Sequence, residues 1–144
     1  MSTCELCNTG SDDVLWQDSL CRVVRVNGAE GEGFPGFCRV IWNAHVAEMT
    51  GLPSADRRHI MNVVFATEAA LRSLLAPDKI NLASLGNRVP HVHWHVIPRW
   101  QDDSHFPAPI WADALRAPPA RRSPDSAELA AAIAELLSEE VSGA

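Results

Sequence analysis

The segment His91-Val92-His93-Trp94-His95 is where this sequence concentrates its chemistry. In an extended strand successive side chains point to opposite faces, so residues two apart share a face. The spacing predicts three imidazoles on one side of a strand, with Val92, Trp94 and Val96 packed behind them. Same-face neighbours stand about 6.5–7 Å apart. That is too far for all three rings to touch and well suited to gripping one phosphate group from several directions. A lone histidine on a strand is ordinary, but three in strict alternation repeat the desolvation cost on one face, which marks a functional cluster. Two chemistries fit: an imidazole acting as nucleophile near neutral pH, or His91, His93 and His95 holding a zinc ion whose bound hydroxide attacks.

The elements that must position these residues are legible in outline. Leu20 to Val26 alternates as a strand within Asp18–Asn27, and Phe37-Cys38-Arg39-Val40-Ile41-Trp42 forms a second. Between them the glycines of Gly28-Ala29-Glu30-Gly31-Glu32-Gly33 and the turn Pro35-Gly36 predict a flexible hairpin loop or a flap facing substrate. Ser54 is the expected N-cap of a long amphipathic helix, with Asp56 in its first turn; Ile60, Val63, Val64, Leu71, Leu74 and Leu75 form its apolar face before Pro77. Strands are expected at Lys79–Leu85 and Val89–Arg99, joined by a turn at Gly86-Asn87. The proline-rich stretch from Trp100 to Pro124 reads as irregular. A final helix, from about Ala127 to Val141 and capped by Asp125-Ser126, is expected to be peripheral. This order predicts an α+β domain with an antiparallel sheet and helices on one side.

Composition narrows the function classes. The chain has 144 residues, 47% hydrophobic and 21% charged, an ordinary globular mix sufficient for one domain. No apolar stretch approaches the ~20 residues of a membrane helix. The start Met1-Ser2-Thr3-Cys4-Glu5 lacks the features of a signal peptide, so a cytoplasmic protein is expected. A net charge of −6 argues against a nucleic-acid polymer as partner while leaving room for a small anionic substrate. Of four cysteines, Cys4 and Cys7 have the spacing of metal ligands or a redox pair.

His-Val-His-Trp-His-Val-Ile followed by Pro98-Arg99 resembles the signature of the histidine triad (HIT) family of nucleotide hydrolases and transferases. Pro35-Gly36, a β-rich run and Asn43-Ala44-His45 resemble that family's upstream block, and Leu52–Leu75 stands where it has a long helix. The similarity covers roughly residues 4 to 100, and Asp102-Asp103-Ser104-His105-Phe106-Pro107 looks like a feature of a bacterial branch close to diadenosine tetraphosphate hydrolases. The resemblance implies a HIT-like fold over 1–144, with a five-stranded antiparallel sheet, a long helix and a C-terminal helix, assembled as a homodimer. It implies cleavage at the α-phosphate of dinucleoside polyphosphates or purine nucleotide derivatives. His93 would be the covalent nucleophile, His95 a helper on the phosphate, and His91 an orienting residue. Asn81 corresponds to a nucleotide-contacting asparagine, and Asn87 in the turn can donate to phosphate oxygens. Arg88 departs from the family's usual Ser or Thr and leaves substrate preference open. A regulatory module that binds nucleotide with little turnover is the rival from another class.

The resemblance also implies a structural zinc held by Cys4, Cys7, His45 and His91, with no organic cofactor. His105, in the irregular segment, is a candidate substrate contact; His59 is expected on a solvated helix face. Trp94 is expected in the core, and Trp100 and Trp111 at a dimer contact.

Overall fold

A computed structural model describes residues 3–142. Five strands form one antiparallel sheet: β1 (Asp13–Gln17), β2 (Cys21–Arg25), β3 (Cys38–Trp42), β4 (Lys79–Ala83) and β5 (His93–Arg99), in the order β1-β2-β3-β5-β4. With the long helix α2 (Ser54–Leu75) and the terminal helix α3 (Ser126–Ser142), this is the expected α+β architecture. Strand β1 escapes alternation analysis because its register against β2 shifts between Val14 and Trp16, breaking the period of two that reveals a strand.

Three local expectations need correction. The glycine-rich stretch is no flap: Ala29–Glu32 winds into a one-turn helix, α1, that packs on its own strand. A Cβ on Gly31 would lie 2.0 Å from the Val26 carbonyl oxygen, so glycine is there for close backbone packing. Ser54 does not cap α2. Pro53 occupies that position without a side-chain cap, and the Ser54 hydroxyl instead accepts from Arg58 Nη1 at 2.9 Å. Helix α3 is not peripheral. Its residues Leu129 and Ile133 are fully buried, one turn apart, against α2 and β1. Its start is as expected, with the Glu128 N–H donating to Asp125 Oδ1 at 2.8 Å.

The sheet has two unlike faces. One carries Cys21, Val23, Cys38, Val40, Ile80 and Val96 against the helices; Ile60, Val63, Val64 and Leu71 of α2 fill that core, and Trp94, expected within it, is partly buried at its margin. Burial pushes the thiols of Cys21 and Cys38 up to about 12, which leaves them inert near neutral pH. The other face carries Arg39 and Ile41 on β3 and His93, His95 and Ile97 on β5, since cross-strand partners share a side, with Phe37 just before β3. Val26, Phe34, Phe37, Ile97 and Ile110 form a smaller apolar cluster there.

Among the described residues, no helix is long and apolar enough to cross a membrane. Trp100 is buried beneath Arg121, whose guanidinium carbon lies 4.2 Å from its ring centroid, so it does not present a dimer contact. His59 is half-buried and pairs with Asp18 Oδ2 at 2.7 Å, where a solvated position was expected.

Candidate active site and metal cluster

Strand β5 begins at His93, four residues later than the alternation implies. Residues 84–92 run as an irregular loop, and Val92 is held by backbone bonds to Val46 and Trp42. This changes what His91 does. Its ring leaves the row of imidazoles and turns to the N-terminal segment, where Nδ1 lies 3.5 Å from Cys4 Sγ, 3.5 Å from Cys7 Sγ and 3.2 Å from His45 Nδ1. Cys7 Sγ and His45 Nδ1 are 3.4 Å apart, and one ligand atom from each of the four residues falls within 4.8 Å of the others.

These separations match a tetrahedral ion. With ordinary zinc bond lengths, two nitrogens at adjacent corners stand about 3.3 Å apart and a nitrogen and sulfur about 3.6 Å. The outer shell also fits: His91 Nε2 donates to the Trp42 carbonyl at 2.5 Å, which leaves Nδ1 as the lone-pair nitrogen facing the cluster. Burial, ahead of the neighbouring charges, lowers the His91 pKa and keeps the ring in its ligating, neutral form. Both its nitrogens are thereby engaged, so His91, His93 and His95 do not converge on one ion. Arg22, which the sequence does not mark out, ties this corner down. Almost wholly buried, it donates to Leu6 O at 2.6 Å, Asp12 Oδ2 at 3.0 Å and Asn43 Oδ1 at 3.1 Å.

His93 and His95 stay together on the sheet face, with ring centroids 5.0 Å apart and planes at 78°. The rings come closer than the strand repeat because side chains on a twisted strand can lean toward one another. His93 Nδ1 donates to the His91 carbonyl at 2.6 Å, a bond that in the neutral ring selects the tautomer with the lone pair on Nε2. His95 is 5% exposed; burial first, then the adjacent His93 and Arg39, pushes its pKa down to about 3. It is a neutral imidazole across the physiological range.

The irregular segment completes the site. Arg99, 2% exposed, donates through Nε and Nη2 to both oxygens of Asp103 at 2.8 and 3.1 Å, and also to Ala108 O and Asn81 Oδ1. Burial alone would raise the Asp103 carboxyl. The Arg99 bonds and the backbone N–H groups of Trp100, His105 and Phe106 outweigh it and hold the pKa at about 2. This hub folds residues 103–111 back across the sheet, and the half-exposed Trp111 meets His95 edge-on at 5.0 Å. Beside them an open cleft of about 480 Å³ is lined by Asn81, Ala83, Pro109 and Trp111 among others.

The remaining candidates scatter. Asn81 borders that cleft, but its amide oxygen is committed to Arg99. Asn87 and Arg88 are exposed in the loop before β5 and make no side-chain hydrogen bond or ion pair among the described residues. His105 bonds the Ser104 hydroxyl at 2.7 Å and packs on Phe34 at 5.7 Å, at the far end of the face from His93. Trp111 and Arg39, which the sequence does not single out as site residues, both stand against His95. Arg39 was hidden because a strand arginine on an apparently amphipathic hairpin reads as a solvent-facing charge.

Comparisons with known proteins identify the family and the fold. A family model described as "HIT domain" matches residues 9–102. A histidine triad protein from Marinobacter aquaeolei VT8 is 27% identical with a TM-score of 0.66, covering 88% of this chain and 90% of that one. One from Bradyrhizobium japonicum is 26% identical with a TM-score of 0.64, with the same coverages of 88% and 90%. A zinc-bound histidine triad family protein from Mycobacterium smegmatis shares the fold at 20% identity, with a TM-score of 0.63 over 99% of this chain and 98% of that one. No curated protein matches the chain.

Proposed function

The chain belongs to the HIT domain family, and from that membership we propose that it is a nucleotidyl hydrolase acting at the α-phosphate of dinucleoside polyphosphates or related purine nucleotide derivatives. One observation carries the reading: His93 donates its Nδ1 proton to the His91 carbonyl, the tautomer whose neutral ring carries its lone pair on Nε2, beside His95. In the first step Nε2 attacks the α-phosphorus. A P–N bond forms, the P–O bond to the leaving phosphate breaks, and the leaving oxygen takes the electron pair. In the second step water attacks the same phosphorus, the P–N bond breaks and the imidazole regains its lone pair. The nucleoside monophosphate leaves with the new oxygen, and the water's protons pass to product and solvent. His95 supplies a hydrogen bond to the phosphoryl group without itself binding a proton.

In this reading Cys4, Cys7, His45 and His91 hold a structural zinc, which fastens the N-terminal segment to the sheet. His91 thus has two tasks, a metal ligand through its ring and a clamp on His93 through its carbonyl. Residues 1–144 act as one domain of a cytoplasmic homodimer in which a sheet edge pairs with its copy; β4 and β1 are the two edges. Asn81 at the cleft, Asn87 and Arg88 in the exposed loop before β5, and His105 at the far end of the face are the outlying substrate contacts of this reading. Engagement of both His91 nitrogens disfavours the rival in which the three histidines hold a catalytic zinc.

The decisive experiment is rapid-quench mass spectrometry with diadenosine tetraphosphate. An acid-labile adenylyl group on His93 is expected, and His93→Ala should abolish turnover while nucleotide binding persists. An adduct on another residue, or full turnover by His93→Ala, refutes the mechanism.

A further inference from the structure

The catalytic face of this acidic chain holds three arginines, and two are consumed internally. Arg22 and Arg99 are 3% and 2% exposed, and their donors go to Asp12, Asn43 and Leu6 and to Asp103, Asn81 and Ala108. Arg39 differs. It pairs in register with His95 across the β3–β5 ladder, so the two side chains rise from the same face as neighbours. Its guanidinium carbon lies 5.8 Å from the Phe37 ring centroid, and that ring is 5.9 Å from His95. Arg39, Phe37 and His95 thus form one contiguous wall beside the proposed nucleophile.

The one acid that Arg39 meets holds it loosely. Nη2 reaches Glu30 Oε2 at 3.2 Å, with side chains 29% and 41% exposed. An ion pair so open to solvent is worth about 1 kcal/mol or less. Arg39 Nε, by contrast, is buried and lacks an acceptor. Native structures seldom leave such an N–H unpaired. A guanidinium that swings off Glu30 onto a phosphate would give that N–H its acceptor and exchange a weak surface pair for a charge-assisted, fork-shaped one.

We propose that Arg39 is a specificity-determining residue that recognises the phosphate adjoining the one attacked, so that the site selects nucleoside polyphosphates over nucleoside monophosphate derivatives. The inference rests on the nucleotidyl-hydrolase reading for where the α-phosphate sits. Phe37 and β3 brace the arginine from below, and Glu30 on α1 parks it when no substrate is bound.

The test is a substrate split. Arg39→Gln should lower kcat/KM for diadenosine tetraphosphate on the order of 10–100-fold, the range for losing a hydrogen bond to a charged group. Adenosine 5′-phosphoramidate, which has no second phosphate, should change by less than about threefold, and Arg39→Lys should recover part of the loss. In a His93→Ala background, where binding is read by calorimetry without turnover, Arg39→Gln should weaken ATP and leave AMP alone. Equal losses for both substrates, or an unchanged ATP-to-AMP affinity ratio, overturn the proposal. Failure of the wild-type enzyme to cleave either compound would sink the hydrolase reading instead, while the ATP-to-AMP ratio would still decide the role of Arg39.

Discussion

Replacing His95 with glutamine should flatten the acid limb of the stability curve, by an amount that follows from its burial. In the folded protein its pKa is pushed down to about 3, against 6.5 for a free imidazole. The sign is fixed by linkage. Above pH 6.5 both folded and unfolded chains carry a neutral ring at this position, so the full stability is present. Below it the unfolded chain takes a proton that the folded one refuses, and stability falls until the folded pKa is reached. The slope approaches about 1.4 kcal/mol per pH unit, which integrates to about 2 kcal/mol between pH 7 and pH 5. The assay is urea unfolding of wild type and His95→Gln at pH 7, 6 and 5, compared as a difference of differences. Titrating groups away from residue 95 are common to both proteins and cancel. Wild type should lose about 2 kcal/mol more than the variant over that interval. Parallel curves, within about 0.5 kcal/mol, would refute the claim that His95 is held neutral by its surroundings.

The other expectations are shorter. Protein purified without a polyhistidine tag should contain about one zinc per chain, and Cys4→Ser with Cys7→Ser should lose it. Stripping the ion should lower stability by about 4 kcal/mol when free zinc had stood a thousandfold above its dissociation constant; a melting curve indifferent to chelator would exclude the site. Leu129→Ala in the terminal helix should cost about 2–5 kcal/mol, because the side chain is fully buried against α2 and β1. A cost below about 0.5 kcal/mol in urea titration would return α3 to the periphery.

The alternating strand, the long helix and the types of the candidate site residues were legible in the chain alone. These are local matters, set by a period of two or of 3.6 residues and by the intrinsic chemistry of imidazole and thiolate. It also placed Cys4, Cys7, His45 and His91 together, through resemblance to a family and not through any periodicity. What the chain's own alternation got wrong was the unity of the triad. Whether residue 91 continues a strand depends on which backbone groups answer it, and here Val92 bonds to Val46 and Trp42 while the ring of His91 turns to the cysteines. The same holds for Trp111 and Arg39. One reaches His95 because a buried Arg99–Asp103 pair folds an irregular segment back over the sheet, and the other because the β3–β5 register sets it opposite. Register and long-range packing couple residues far apart in the chain, and no local pattern encodes them. The residue types were legible one by one, but that the ring of His91 leaves the row while those of His93 and His95 stay together on one face follows from long-range packing alone.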